Sequence, residues 1–205
     1  MTPERPFGDR GSTLPLYIWL TGMLLFVAFV FFAFAQAAVA RNGAQSAADA
    51  AALAAAQDSR DELLDGLIDA IEQGDGKDED WLDWLLGDDL EGAGAEGAAE
   101  ALAADNDSRV SAFAATEVNG LPGYQVQIET NYTVGDSIIP GTESKHAKAD
   151  AVAVIKPRCE VDADADAKKP VELDCEGEPV EIDPGDFDPG DLPDASTLFS
   201  VHLAE

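Results

Sequence analysis

The hydrophobic pattern of the chain is dominated by one uncharged stretch, residues 14–40, which ends immediately before Arg41. A helix of these 27 residues rises by ~1.5 Å per residue and reaches ~40 Å, more than the ~30 Å hydrocarbon core of a bilayer. Apart from two amphipathic aromatic residues near its start, its polar side chains are Thr21 and Gln36. The pattern predicts a transmembrane helix over 14–40.

Two other interpretations of this stretch compete with an anchor. A core helix without charge on any face needs a large domain around it, which a short acidic chain does not supply. A secretory signal peptide has a shorter apolar region of ~7–15 residues, although the small residues at 35–40 leave cleavage near Ala40 as an alternative. We expect the helix to stay as an anchor.

Alanine dominates the residues after the apolar stretch and predicts that the helix extends through 41–60. Small residues at four-residue spacing leave one side of the extension smooth, so another helix can approach it closely. We interpret this side as a packing surface for partner helices; the alternative is high helix propensity without a partner. The small residues are Ala40, Ala44, Ala48, Ala52 and Ala56.

Shorter elements are predicted after residue 60. Apolar residues at helical spacing predict a helix over 61–73, and an alanine-rich segment predicts another over 92–104. Between them, the sequence WLDWLL at 81–86 is too apolar to leave in water. It predicts a buried lid or a protein contact, with docking on the membrane surface as a third option.

Beyond these helices, apolar and polar residues alternate with a period of two. The alternation is clearest over 124–134 and also marks 110–114 and 146–155. Asn119 and Gly120 supply a turn before the second strand. The pattern predicts a small three-stranded antiparallel sheet.

A sheet of this size is stable when a helix covers its apolar face, and we expect the helices over 92–104 and 63–71 to do so. The fold class is therefore α+β. Residues 158–205 are acidic and rich in proline and glycine, which predicts an irregular tail whose residues 198–203 can dock as an edge strand.

The chain carries 41 acidic and 12 basic residues, a formal net charge of −29. Only two of the acidic residues precede residue 42, so the acidic excess lies on one side of the predicted membrane helix. Such a surface repels nucleic acid and anionic lipid headgroups, and nucleic-acid binding is excluded. Solubility or a cation-rich exterior explains the acidity more simply than a specific cation site.

The two cysteines, Cys159 and Cys175, lie 16 residues apart, and nothing around them resembles a metal-ligand set. A disulfide is favoured over two free thiols; closing such a loop stabilises a fold by about 3 kcal/mol and indicates an oxidising exterior. The basic residues flanking the helix are balanced and set no orientation. The cysteines therefore place residues 1–13 in the cytoplasm and the C-terminal part outside.

No catalytic constellation is visible, and the two histidines lie in no zinc-ligand pattern. The aspartates at 162, 164 and 166 are spaced like the first ligands of an EF-hand, but Ala167 and Leu173 replace its required glycine and glutamate. We expect no enzyme activity, no metal and no cofactor; a weak, irregular calcium site is the less favoured alternative.

Residues 10–56 resemble the N-terminal segment of the TadE/TadG-like Flp pilus-assembly family of tight-adherence (Tad) secretion systems. The resemblance rests on Arg10-Gly11-Ser12, the apolar helix and the run RNGAQSAADAAALAAA, in which Gln, Asp and Leu hold set places. The later order of helix and strands is similar to that of many actinobacterial members. The partners implied are membrane lipid and other Tad proteins. The implied helix-packing residues are Arg41, Gln45, Ala48, Asp49, Ala52 and Leu53.

Prepilin-like members of that family are cleaved after a glycine and carry a glutamate five residues on. Gly11 and Ser12 fit the cleavage position, but Leu16 stands at the place of the glutamate, so the resemblance favours an uncleaved, TadG-type component. We therefore expect a non-catalytic, membrane-anchored pilus-assembly component. The alternative is a cell-surface protein that binds a cation or ligand through its acidic region. The predicted parts are a tail (1–13), a transmembrane helix (14–40), its extension (41–60), an extracytoplasmic domain (61–157) and an acidic tail (158–205).

Overall fold

The computed structural model of the protein describes residues 13–74, 81–87, 92–133, 144–162 and 165–204. The helices are α1 (Thr13–Gly74), α2 (Trp81–Leu86), α3 (Ala95–Asp105) and α4 (Ala195–Leu198), with a short 3-10 turn at Pro189–Asp191. The strands are β1 (Ser108–Val118), β2 (Leu121–Thr133), β3 (His146–Pro157), β4 (Cys159–Glu160), β5 (Val171–Cys175), β6 (Glu178–Ile182) and β7 (Phe199–Leu203). The α+β class predicted from the sequence is confirmed.

Helix α1 continues without a break for 62 residues, which corresponds to a length of about 90 Å. The prediction of a separate helix over 61–73 was wrong, because those residues form the last turns of α1. No glycine or proline interrupts the chain between Ala44 and Leu63, and the buried stripe continues through Leu67 and Ile71. The boundaries predicted at 40 and 60 therefore fall inside one helix.

The larger sheet has four strands in the order β1-β2-β3-β7, each antiparallel to its neighbour. The three predicted strands are β1, β2 and β3, and the C-terminal residues dock as an edge strand, as expected. Val118 pairs with Leu121 across a two-residue turn in which Asn119 and Gly120 both have positive φ, 56° and 80°. This is the type I′ geometry that an Asn-Gly pair favours.

The alanine-rich part of α1 covers the sheet, together with α3. The contacts of α1 with β2 lie in this part of the helix: Ser59 is hydrogen-bonded to Tyr124, and Gly43 lies against the Tyr132 hydroxyl. Alanine and glycine lack bulk, so the helix backbone approaches the sheet closely there. Residues 63–71, also expected as cover, supply Leu63, Leu67 and Ile71 to the same buried core.

These two contacts fix the direction of β2 along α1. Sixteen residues of helix separate Gly43 from Ser59, about 24 Å, and eight residues of strand separate Tyr132 from Tyr124, about 27 Å. The lengths match, so β2 runs antiparallel beside α1. The Tyr132 end of the sheet is therefore the end nearest the apolar stretch of α1.

The prediction of an irregular acidic C-terminal region was wrong. The region contains a second antiparallel sheet in the order β4-β5-β6. In β5, Val171, Leu173 and Cys175 are buried and alternate with exposed acids. Glu176 and Gly177 then form a second turn with positive φ at both residues. The strands have at most five residues each, and their exposed positions are acidic apart from Pro179, so the region resembles a solvated linker in composition.

Candidate functional site

The first part of α1 is uncovered. Among the described residues, α1 alone is long and apolar enough to cross a membrane, and none of its most apolar window is buried by the rest of the chain. Phe26 and Phe31 expose 65% and 72% of their surface. Exposed apolar area of this extent is incompatible with water and suits lipid. The segment has the properties of a membrane anchor.

The alanine stripe that follows is occupied within the chain. Ala44, Ala48, Ala52 and Ala56 have no exposed surface, because the sheet and α3 cover them. The smooth side predicted as a surface for partner helices is thus an intramolecular contact. Its small side chains serve the close approach of the protein's own sheet.

One polar member of the predicted packing set, Gln45, connects α1 with β3. The Gln45 amide nitrogen donates to Asp49 Oδ1 at 2.8 Å and to the Asp150 carbonyl oxygen at 3.3 Å. Asp49 therefore has a partner within its own helix. Arg41 is exposed, and Leu53 is half-buried against the core.

A buried hydrogen bond joins α1 to the centre of the sheet. The hydroxyl oxygens of Ser59 and Tyr124 lie 2.8 Å apart, and the Phe113 ring stacks on Tyr124 with centroids 5.3 Å apart. Burial raises the pKa of Tyr124; the Ser59 hydrogen bond opposes that shift, and the charges of Glu62 and Asp58 add to it. Sequence reasoning missed this junction, and only the serine within the buried alanine stripe marks it.

The tryptophan-rich segment forms a buried cover, the first of its three predicted interpretations. The Trp81 indole donates to the Ala167 carbonyl oxygen at 3.0 Å, and Trp81 and Leu85 are buried. The Trp84 ring lies against Gly66, where any added side-chain carbon would overlap it. Helix α2 thus joins the end of α1 to the C-terminal region.

A disulfide and the contacts of one arginine hold the smaller sheet. Cys159 and Cys175 face each other in β4 and β5 and form a disulfide. Arg158 donates to Glu176 Oε2 and to the Ser196 carbonyl oxygen, both at 2.6 Å. The hydrogen bond and charge of Arg158 lower the pKa of Glu176. The last β-hairpin and α4 are therefore tied to the end of β3.

The aspartates considered for calcium are used locally where they are described. Asp166 forms an ion pair with Lys169 and accepts from the Lys168 backbone. The side chains of Asp183 and Asp188 each accept a hydrogen bond from the backbone N–H of the glycine in their own Asp-Pro-Gly turn. No group of three or more His, Cys, Asp or Glu side chains in the described part of the chain is placed to hold a metal ion.

Residues 11–58, about a quarter of the chain, match the family model described as putative Flp pilus-assembly TadE/G-like. No curated protein and no solved structure matches the chain. The matched range begins at Gly11 and Ser12, the predicted processing position, which lie outside the described residues, and ends one residue before Ser59. It therefore spans the exposed apolar part of α1 and the alanine-rich part that carries the sheet.

Proposed function

We propose that this protein is a non-catalytic, single-pass component of a Flp-type pilus-assembly apparatus, anchored by residues 14–40 with its folded domain outside the membrane. The observation that carries the proposal is the family match over 11–58, which coincides with an uncovered apolar helix. A membrane span in that segment supports association with other Tad components in the same membrane.

The continuity of α1 supports a structural role. The same helix that leaves the apolar stretch at Ala40 packs against the sheet from Ala44 onward, with no linker between them. The domain is therefore held at a fixed height and orientation relative to the anchor. A rigid mounting suits a component that positions other subunits.

The proposed orientation rests on the disulfide. A bond between Cys159 and Cys175 persists in an oxidising compartment, which favours an extracytoplasmic domain and a cytoplasmic N-terminus. A thiol-reactive reagent that cannot cross membranes, applied to intact cells, tests this orientation with two single variants, Ser12→Cys and Glu178→Cys. We expect labelling of Glu178→Cys only; labelling of Ser12→Cys instead would reverse the orientation.

Deletion of the gene in its own host, followed by complementation, tests the function. We expect pili to be lost and to be restored by the unaltered chain and by Phe26→Leu. The variant Phe26→Lys/Phe29→Lys should fail, because each charge at the centre of a membrane helix is unfavourable by about 2.5–3.5 kcal/mol. Normal piliation in the deletion strain would contradict the proposal and leave the cell-surface binder as the better interpretation.

The state of the N-terminus gives a further prediction. Because the glutamate of prepilin-like members is absent, we propose that Gly11 is not cleaved. Intact mass measurement and N-terminal sequencing of the protein from its own membranes should show the full tail. A mature start at Ser12 would instead identify a minor pseudopilin.

A further inference from the structure

The sheet has a second face, and none of the helices that the structure describes covers it. Tyr124, Val126 and Ile128 of β2 point toward α1 and are buried, so the residues between them point away. Paired residues on neighbouring strands share a face, and the register therefore assigns the rest. The outer face comprises Arg109, Ala112, Ala114 and Thr116 of β1, Gln125, Gln127 and Glu129 of β2, and Lys148, Asp150 and Val152 of β3.

This outer face is electrically balanced, although the chain carries a net charge of −29. Its two basic and two acidic residues cancel, and Glu129 forms ion pairs with Arg109 at 3.0 Å and with Lys148 at 3.4 Å. Burial acts to raise the pKa of Glu129, but the Lys148 hydrogen bond and the Arg109 charge outweigh it and lower the pKa. The remaining side chains are small or amide-bearing. An acidic molecule can therefore meet a second copy at this face without local repulsion.

The outer face is also complementary to the outer face of a second copy, as the rows of residues at equal height on β2 and β3 show. Glu129 is level with Lys148, Gln127 with Asp150, and Gln125 with Val152. Consider a twofold axis that runs parallel to the strands, above the outer face and midway between β2 and β3. Rotation about it leaves each row at the same height and places β2 of one copy opposite β3 of the other. Glu129 of one copy then meets Lys148 of the other, and Gln127 meets Asp150.

We propose that two copies of this chain associate through their outer faces, as a twofold dimer whose axis runs along the strands. This inference rests on the proposed membrane anchoring. The strands are aligned with the axis of α1, so a twofold axis along the strands gives both copies the same orientation in one membrane. Aligned packing of two sheets about 10 Å apart is a common arrangement. The anchors of the two copies lie on opposite outer sides of the pair.

The size of the face fits a dimer that the membrane assists. Three strands at ~4.8 Å spacing and six residues at ~3.4 Å rise give about 300 Å² of flat sheet per copy. This is smaller than the interfaces of stable complexes between freely diffusing proteins. Copies confined to one membrane in one orientation have a high effective concentration, which favours association through a small surface.

Cysteine cross-linking of the full chain in its membrane tests the geometry. The only two cysteines of the sequence are bonded to each other, so an introduced thiol is unique. We expect Gln127→Cys to give a cross-linked dimer with a short bis-maleimide. Glu96→Cys, an exposed position on α3, should not. Equal cross-linking of both variants, or none at Gln127→Cys, would overturn the proposal.

Charge reversal tests the pairing between copies separately from folding. Glu129→Lys and Lys148→Glu each place like charges opposite each other, and differently tagged copies of either variant should co-purify at least about tenfold less than the unaltered chain. Co-expression of the two variants restores both opposite-charge contacts across the axis, while the pair within each chain stays broken. Restored co-purification supports the dimer, and its absence contradicts it.

Failure of the anchor and failure of the dimer give different results. All variants are first located by membrane fractionation: a soluble chain contradicts the proposed function, whereas a membrane-bound chain without Gln127→Cys dimers contradicts this inference alone. Cross-linking of Gln127→Cys only to another protein would assign the face to a different partner and would also overturn it.

Discussion

Two parts of the same helix meet entirely different surroundings. Residues 14–39 of α1 carry large apolar side chains that the rest of the chain leaves exposed, such as Phe31 at 72%. From Ala40 to Ser59 the buried side chains are alanine and serine, and the protein's own sheet and α3 cover them. The difference shows that side-chain size selects the environment here. Bulky residues present area to lipid, and small residues admit a protein backbone.

Enlarging the small residues should destroy the covered part and leave the bare part intact. Ala48→Leu/Ala52→Leu inserts bulk between α1 and its cover, and we expect a loss of about 1–3 kcal/mol at each position. The midpoint of urea unfolding of the detergent-solubilised chain measures it. Ala37→Leu/Ala38→Leu, at exposed positions of the same helix, is the matched control and should not shift the midpoint. Equal effects of the two pairs would show that α1 is not selectively covered.

The Ser59–Tyr124 hydrogen bond gives the next largest effect. Ser59→Ala leaves the buried Tyr124 hydroxyl without its partner, which lowers the free energy of unfolding by about 1–3 kcal/mol. In the double variant Ser59→Ala/Tyr124→Phe neither hydroxyl is left unpaired, so its loss should be smaller than the sum of the single losses. Additive losses would mean that the two hydroxyls do not interact.

The same junction predicts a dependence of stability on alkaline pH. The folded protein raises the pKa of Tyr124 above its ordinary value of 10.0, so the unfolded chain releases that proton first. The stabilisation by Tyr124 is therefore complete below about pH 10 and is lost as pH rises through the folded pKa. Urea unfolding between pH 8 and pH 11 should show a steeper decline for the unaltered chain than for Tyr124→Phe.

The features predicted correctly are those encoded by local periodicity. The apolar stretch, the alternation in β2 and the Asn119-Gly120 turn each specify their structure within a few residues. The segment that covers the alanine stripe is not encoded locally. Small side chains indicate that another backbone approaches closely, but they do not distinguish a segment of the same chain from a partner protein. Asp49 illustrates this: it accepts a hydrogen bond from Gln45 one turn away, and its predicted contact with a partner stays a prediction.

The small sheet was missed because composition was weighed above pattern. The sequence VELDC alternates buried and exposed residues as clearly as β2 does, and Glu176-Gly177 adopts the same turn conformation as Asn119-Gly120. Acidic residues at every exposed position made the segment resemble a solvated linker. Alternation over as few as five residues is informative when a turn follows directly and a cysteine occupies a buried position.

Two of the glycines of α1, one in each part, give the smallest and most selective test of the comparison. Replacing a glycine within a helix by alanine favours the helix by about 1 kcal/mol. Gly22 in the bare part has nothing near its added carbon, whereas the added carbon at Gly43 overlaps the Tyr132 hydroxyl. We expect Gly22→Ala to leave the stability of the domain unchanged or slightly raised, and Gly43→Ala to destabilise the domain by up to about 1 kcal/mol.

Without the Tyr132 hydroxyl, the ring carbon nearest to the added carbon at Gly43 would lie 3.7 Å away, an ordinary contact. Gly43→Ala should therefore become stabilising in a Tyr132→Phe background. Urea midpoints for the four combinations measure this coupling; an effect of Gly43→Ala that is independent of residue 132 would contradict the placement of β2 against α1 at this turn.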